Sequence, residues 1–125
     1  MNLVQAALKS AEPGAAVRSH VRRTGDILEV DGRRYDLTEY RGIFVVGAGK
    51  AAGPMAEAIE DILGDRIVAG IICVKYGYTA ATTRVEVEQA GHPIPDERAV
   101  RATERMIALV ESAGQSDLII CLISG

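Results

Sequence analysis

The chain has 125 residues, 48% of them hydrophobic and 25% charged. That is about one domain at ~100–200 residues each, and it excludes a disordered, collagenous or disulfide-scaffold chain. Lys and Arg number 14 against 17 Asp and Glu, a net charge of -3, so no basic field exists for wrapping nucleic acid. The longest apolar runs, 67–74 and 118–123, fall short of the ~18–20 residues of a membrane span. The N-terminus has neither the basic nor the long apolar segment of a secretory signal, and a cytoplasmic protein without a membrane partner is expected.

In chain order, Leu3, Val4, Ala7 and Leu8 recur at helical spacing, and after Pro13-Gly14 a second helical stretch is expected over 15–23. Ile27 to Val30, Asp31-Gly32 and Arg33 to Leu37 read as two strands around a two-residue hairpin turn. Residues 1–41 therefore form a short helical arm and a β-hairpin that belong to the same domain as the rest of the chain. Over 42–125 short apolar runs alternate with amphipathic segments, the pattern of a parallel sheet covered on both faces. The expected fold is α/β and Rossmann-like, a mostly parallel sheet flanked by helices.

Ile43 to Val46 is the first strand of this unit, and Met55, Ile59, Ile62 and Leu63 form the stripe of a helix that Gly64 stops. Ile67 to Lys75 is a buried strand. Arg84 to Ala90, with Val85 and Val87 alternating with Glu86 and Glu88, reads as an edge strand. Only residues 76–83 join the two, a reach of ~26 Å if extended, so the direction of the edge strand stays open. Asp96 caps a helix with the stripe Ala99, Val100, Thr103, Met106, Ile107 and Val110, ended by Gly114, and Asp117 to Ile123 is the last strand. No covering helix follows Ser124-Gly125, which gives the expectation of a longer protein cut short at the C-terminus. Cys73 and Cys121 fall in apolar runs and are expected as reduced core thiols, not metal ligands.

The best chemical motif is Gly47-Ala48-Gly49-Lys50-Ala51-Ala52-Gly53-Pro54, between a strand and a helix. Glycines permit a tight turn there, and open N–H groups at a helix N-terminus favour an anion. The expected phosphate or nucleotide contacts are Gly47, Gly49, Ala51 and Gly53. Phe44 and Ala51 stand where a Walker A loop needs Gly and Ser or Thr, so no P-loop ATPase is implied. Gly47, Gly49 and Ala52 fit the relaxed dinucleotide pattern, yet the next strand ends in Val74-Lys75-Tyr76 without the carboxylate that holds a nicotinamide cofactor's ribose. Lys75 suits a phosphate instead. The same glycines equally serve close packing of helix on strand.

Lys50 follows the turn directly and is the candidate catalytic residue, a compact charge for a transferring phosphoryl group. A cation at a helix N-terminus runs against the macrodipole, which favours function over a merely solvated lysine. Gly91-His92-Pro93-Ile94-Pro95-Asp96 is a stiff loop that presents His92 and Asp96 to a substrate or serves only as a helix start. One His beside one Asp makes neither a metal centre nor a nucleophilic triad. Tyr76 to Thr79 reads as an exposed loop.

Taken together, the strand into Gly-Ala-Gly-Lys-Ala-Ala, the later Gly-His-Pro-Ile-Pro-Asp and the last strand into Ile-Ser-Gly resemble the N-terminal domain of class II glycerate kinases, the MOFRL-type glycerate 2-kinase family, from about residue 40 onward. The resemblance implies transfer of the ATP γ-phosphoryl group to D-glycerate with a divalent cation such as Mg²⁺, giving 2-phosphoglycerate in a cleft between two domains. It puts Lys50 in the active site, and Ser124 and Gly125 at the start of a phosphate-binding loop. It also implies that this stretch alone does not turn over. Members of that family have been labelled hydroxypyruvate reductases, and a nicotinamide-dependent reductase is the second reading. A non-catalytic ligand-binding or assembly domain, for instance a homodimer, is the third.

Overall fold

The structure is a computed structural model that describes residues 2–7, 13–90 and 97–124. In chain order it contains β1 (Asn2–Ala7), α1 (Pro13–His20), β2 (Val21–Thr24), β3 (Ile27–Val30), β4 (Arg33–Asp36), β5 (Gly42–Ala48), α2 (Ala52–Leu63), β6 (Ile67–Lys75), β7 (Val85–Ala90), α3 (Glu97–Ser112) and β8 (Asp117–Ile123). Short 3-10 turns follow β4 and α2. The expected α/β architecture is present: a 5-stranded sheet in the order β1-β8-β5-β6-β7, parallel throughout. From β5 the chain winds outward through β6 to β7, then returns to lay β8 on the other side of β5. The winding therefore reverses between β5 and β8.

Alternation along the central strands sends side chains to two cores. Leu118, Ile120 and Leu122 of β8 join Met55, Ile59 and Leu63 of α2, whereas Ile119 joins Val46, Ile71 and the α3 residues Met106, Leu109 and Val110. Apolar burial at ~25 cal/mol per Å² makes this two-sided covering the main stabilising term. Cys73 and Cys121 are half-buried and in no disulfide, and Cys121 packs against the second core; burial pushes the Cys121 thiol up.

The N-terminal arm corrects the sequence reading. Residues 2–7 form a strand, not a helix, and pair in parallel with β8 from Asn2↔Leu118 to Ala7↔Ile123. A short apolar run fits either period, and here the otherwise open edge of β8 decides. The following helix ends at His20 rather than Arg23, because Val21 to Thr24 pair with β3. The predicted hairpin thus becomes the 3-stranded sheet β2-β3-β4. Its turn is as expected, with Asp31 at φ 49 and Gly32 at φ 84, both left-handed as a type I′ turn requires.

The direction of the edge strand is settled: β7 runs parallel to β6. No helix makes the crossover. Instead α2 receives the returning backbone: the Ala81 N–H donates to Glu57 Oε1 at 2.6 Å, and the N–H groups of Thr83, Arg84 and Val85 all donate to the Glu60 carboxylate at 2.7–2.8 Å. These side chains satisfy donors that would otherwise cost free energy at a partly buried strand entry.

The stripe expected for α3 holds at Met106 and Val110, which pack on the second core, and fails at Val100 and Ile107. Val100 and Ile107 are 55% and 51% exposed, whereas Ala102, absent from that stripe, is 1% exposed. Arg105 ties this helix to β7 through Glu86 and Glu88.

Candidate functional site

In open α/β sheets ligands bind outside the carboxyl ends of the strands where the winding reverses. Here that point is the end of β5 and β8, and the glycine turn sits on it. Gly49 has φ +115, a conformation L side chains rarely adopt, and a Cβ there would lie 2.2 Å from Ser124 Oγ and 2.4 Å from Ser124 O. A Cβ on Gly47 would stand 2.5 Å from Leu122 O. The glycines let the two strand ends approach. The Gly49 N–H donates to Cys73 O at 3.2 Å, the Ser124 N–H to Ala48 O at 3.2 Å, and the Ala52 N–H to Gly49 O at 3.1 Å.

Ser124 closes the arrangement by accepting the Ala51 N–H on its Oγ at 3.0 Å. The Ala51 cap has no side-chain hydrogen bond of its own, and no acidic residue stands in the first turn of α2, so nothing on the helix neutralises the positive end of its dipole. Gly53 faces elsewhere, its Cβ position 3.3 Å from Thr79 O and 3.2 Å from the Ala80 Cβ. It serves packing of α2 on the segment entering β7.

Beside the turn lies a cleft of about 140 Å³, bordered by Gly49, Lys50, Cys73, Lys75, Ala90 and Ala99. It collects the ends of β5, β6 and β7 and the first turn of α3. Lys50 and Lys75 are both exposed, and the described residues that line the cleft include no carboxylate. Such a lining suits an anion and offers a metal ion no charged ligand. Among the described residues no group of three His, Cys, Asp or Glu side chains could hold a metal ion.

The structure therefore brings together Gly47, Gly49, Lys50, Ala51 and Ser124 of the sequence-derived candidates. Gly53 is adjacent but turned away. His92, Asp96 and Gly125 lie outside the described residues, although Ala90 and Ala99 on either side of the His92 segment border the cleft. The hydrogen bond from Ala51 to Ser124 was invisible in the sequence, because it depends on β8 lying beside β5. No helix among the described residues is long and apolar enough to cross a membrane.

A glycine turn feeding a helix at the reversal point of a parallel sheet defines a doubly wound α/β domain of the Rossmann-like class. The chain belongs to the family described as "Domain of unknown function (DUF4147)", which matches residues 1–125. A glycerate 2-kinase of Pyrococcus horikoshii is 37% identical over 125 residues, covering 100% of this chain and 28% of that protein. A crystal structure of a protein from Pyrococcus horikoshii OT3 has a TM-score of 0.85 and 36% identity over 92% of this chain and 26% of that one. An Agrobacterium vitis protein with the provisional name hydroxypyruvate reductase is 42% identical over 81 residues, 65% of this chain and 18% of its own length. The chain spans about a quarter of the length of such relatives.

Proposed function

We propose that this chain supplies the glycine-turn side of a phosphoryl-transfer cleft in a glycerate 2-kinase, which moves the γ-phosphoryl group of ATP to D-glycerate and yields 2-phosphoglycerate. The observation that carries the reading is the position of Lys50: exposed, on a left-handed glycine turn, at the point where the sheet reverses its winding. The name and identity of the Pyrococcus horikoshii relative supply the reaction.

In this reading Lys50 places a compact positive charge against the transferring group, where charge spreads over the phosphoryl oxygens. The positive end of the α2 dipole, with no acidic residue in the first turn, favours the same anion. Ser124 holds the turn in shape through Ala51. The divalent cation, Mg²⁺ or another, would come with the nucleotide's phosphates; none of the described residues that line the cleft is a carboxylate. Lys75 stands where a nicotinamide site needs an acidic residue, which counts against the reductase reading. The chain alone does not turn over, because positioning must come from both sides of a cleft.

The test is a coupled phosphorylation assay with D-glycerate, ATP and Mg²⁺ on a protein of the relatives' length that carries this chain, with the 125-residue chain in parallel. The longer protein forms 2-phosphoglycerate and the short chain does not. Lys50→Ala lowers kcat about 10²–10³-fold, the usual loss of one electrostatic contact to developing charge. Nicotinamide-dependent reduction of hydroxypyruvate with no phosphoryl transfer would establish the reductase instead.

A further inference from the structure

Lys9, Lys50 and Lys75 are the only lysines in a sequence whose remaining basic residues are arginines, and Lys50 and Lys75 border one cleft. Arg18, Arg41, Arg66 and Arg105 each pair with a carboxylate. Neither cleft lysine has an ion pair among the described residues. Like charges facing one concavity repel, and an anion relieves that repulsion.

The backbone that carries Lys75 is held in place. The Tyr78 N–H donates to Lys75 O at 3.1 Å, and the Tyr76 N–H donates to Ala90 O at 3.1 Å. Gly77 closes the turn at φ +90 with its N–H on Gln89 Oε1, and Arg98 of α3 lies 5.4 Å from the centre of the Tyr76 ring. A cation on so fixed a strand end loses little backbone entropy when it meets a ligand.

We propose that Lys75 is a second anion-binding residue of the cleft, acting with Lys50 on the charged oxygens of the ligand, whether nucleotide phosphate or hydroxy-acid carboxylate. The proposal builds on the phosphoryl-transfer reading and adds a residue to it. Lys75 replaces the acidic group that would accept ribose hydroxyls at this strand end, so the cleft selects anionic oxygen over a sugar diol.

Isothermal titration of the protein with inorganic pyrophosphate, ATP and D-glycerate, each alone, tests it. Lys75→Gln weakens binding about 10- to 100-fold, as expected for loss of a charge-assisted hydrogen bond, and Lys75→Arg restores part of it. Arg33→Gln, which removes an exposed charge on the hairpin, leaves every affinity unchanged. Loss confined to pyrophosphate and ATP assigns Lys75 to phosphate; loss confined to D-glycerate assigns it to the carboxylate. Wild-type affinity of Lys75→Gln for all three probes, or no binding of any probe by the wild type, overturns the proposal. If pyrophosphate binding depends on Lys75 while no phosphoryl transfer to D-glycerate occurs, the lysine pair stands and the kinase reading falls.

Discussion

Ser124 occupies the space that a side chain on Gly49 would fill, its Oγ only 2.2 Å from that Cβ position, and the same oxygen accepts the Ala51 N–H. The end of β8 thereby sets the shape of the turn that presents Lys50. A glycine is needed for both φ and space, and the space is bounded by Ser124 backbone as well as its hydroxyl.

Gly49→Ala is therefore expected to destabilise the fold by about 2–4 kcal/mol, combining backbone strain with overpacking. Ser124→Ala loses only one hydrogen bond, about 1 kcal/mol. Urea midpoints of the two variants give the comparison. Equal, small effects would mean that the two strand ends do not approach as described.

Glu60 offers a second check, on the crossover. Burial opposes its ionisation, but the hydrogen bonds from Thr83, Val85 and Arg84 together outweigh that cost and hold its carboxyl below the ordinary value. Glu60→Ala leaves these N–H groups without their acceptor and is expected to cost about 1–3 kcal/mol. Amide exchange of residues 83–85 should speed up in the variant while the centre of β8 stays protected. Unchanged exchange at 83–85 would show that α2 does not hold this segment.

At the opposite end of the sheet Asp117 is 1% exposed beneath Arg41. The Arg41 guanidinium, 2.7 Å from Oδ2, and the Gly114 N–H, also at 2.7 Å, hold its carboxyl below the usual value. A carboxyl depressed in the folded state stabilises it above the unfolded pKa, ~4 for Asp and Glu. That contribution disappears as pH falls through the folded value. Stability should thus be level near neutrality and decline below about pH 4–5 as the unfolded chain takes up protons first. In Asp117→Asn an NH₂ group faces hydrogen-bond donors; the variant starts about 1–3 kcal/mol lower and declines less steeply in acid. Urea unfolding at pH 7 and pH 3 measures both, and an acid slope as steep as the wild type's would remove Asp117 from the account.

The hairpin and the glycine turn were legible because their residues dictate local backbone: Asp31-Gly32 and Gly49 adopt the left-handed φ that their types permit. The parts that escaped depend on distant partners. Leu3, Val4 and Ala7 suit either period, and only β8, at the far end of the sequence, makes their segment a strand. The direction of β7 was undecidable because Glu57 and Glu60 read as an ordinary polar helix face, with no hint that they replace a crossover helix. At the site, Lys50 and its glycines could be picked out, whereas the Ser124 contact required knowing that β8 adjoins β5.

The phase of α3 shows the same limit and can be tested directly. Val100 and Ile107 drew the inferred stripe toward solvent, while the small Ala102 carries the buried line together with Met106, Leu109 and Val110. Successive residues turn by ~100° around a helix, so the inferred stripe shares Met106 and Val110 with the buried one and leaves it at Val100 and Ile107. Ala102→Leu should overpack this contact and cost about 1–3 kcal/mol. Val100→Thr should stay within about 0.5 kcal/mol of the wild type. The reverse order of urea midpoints would restore the phase read from the sequence, with Val100 against the sheet and Ala102 in water.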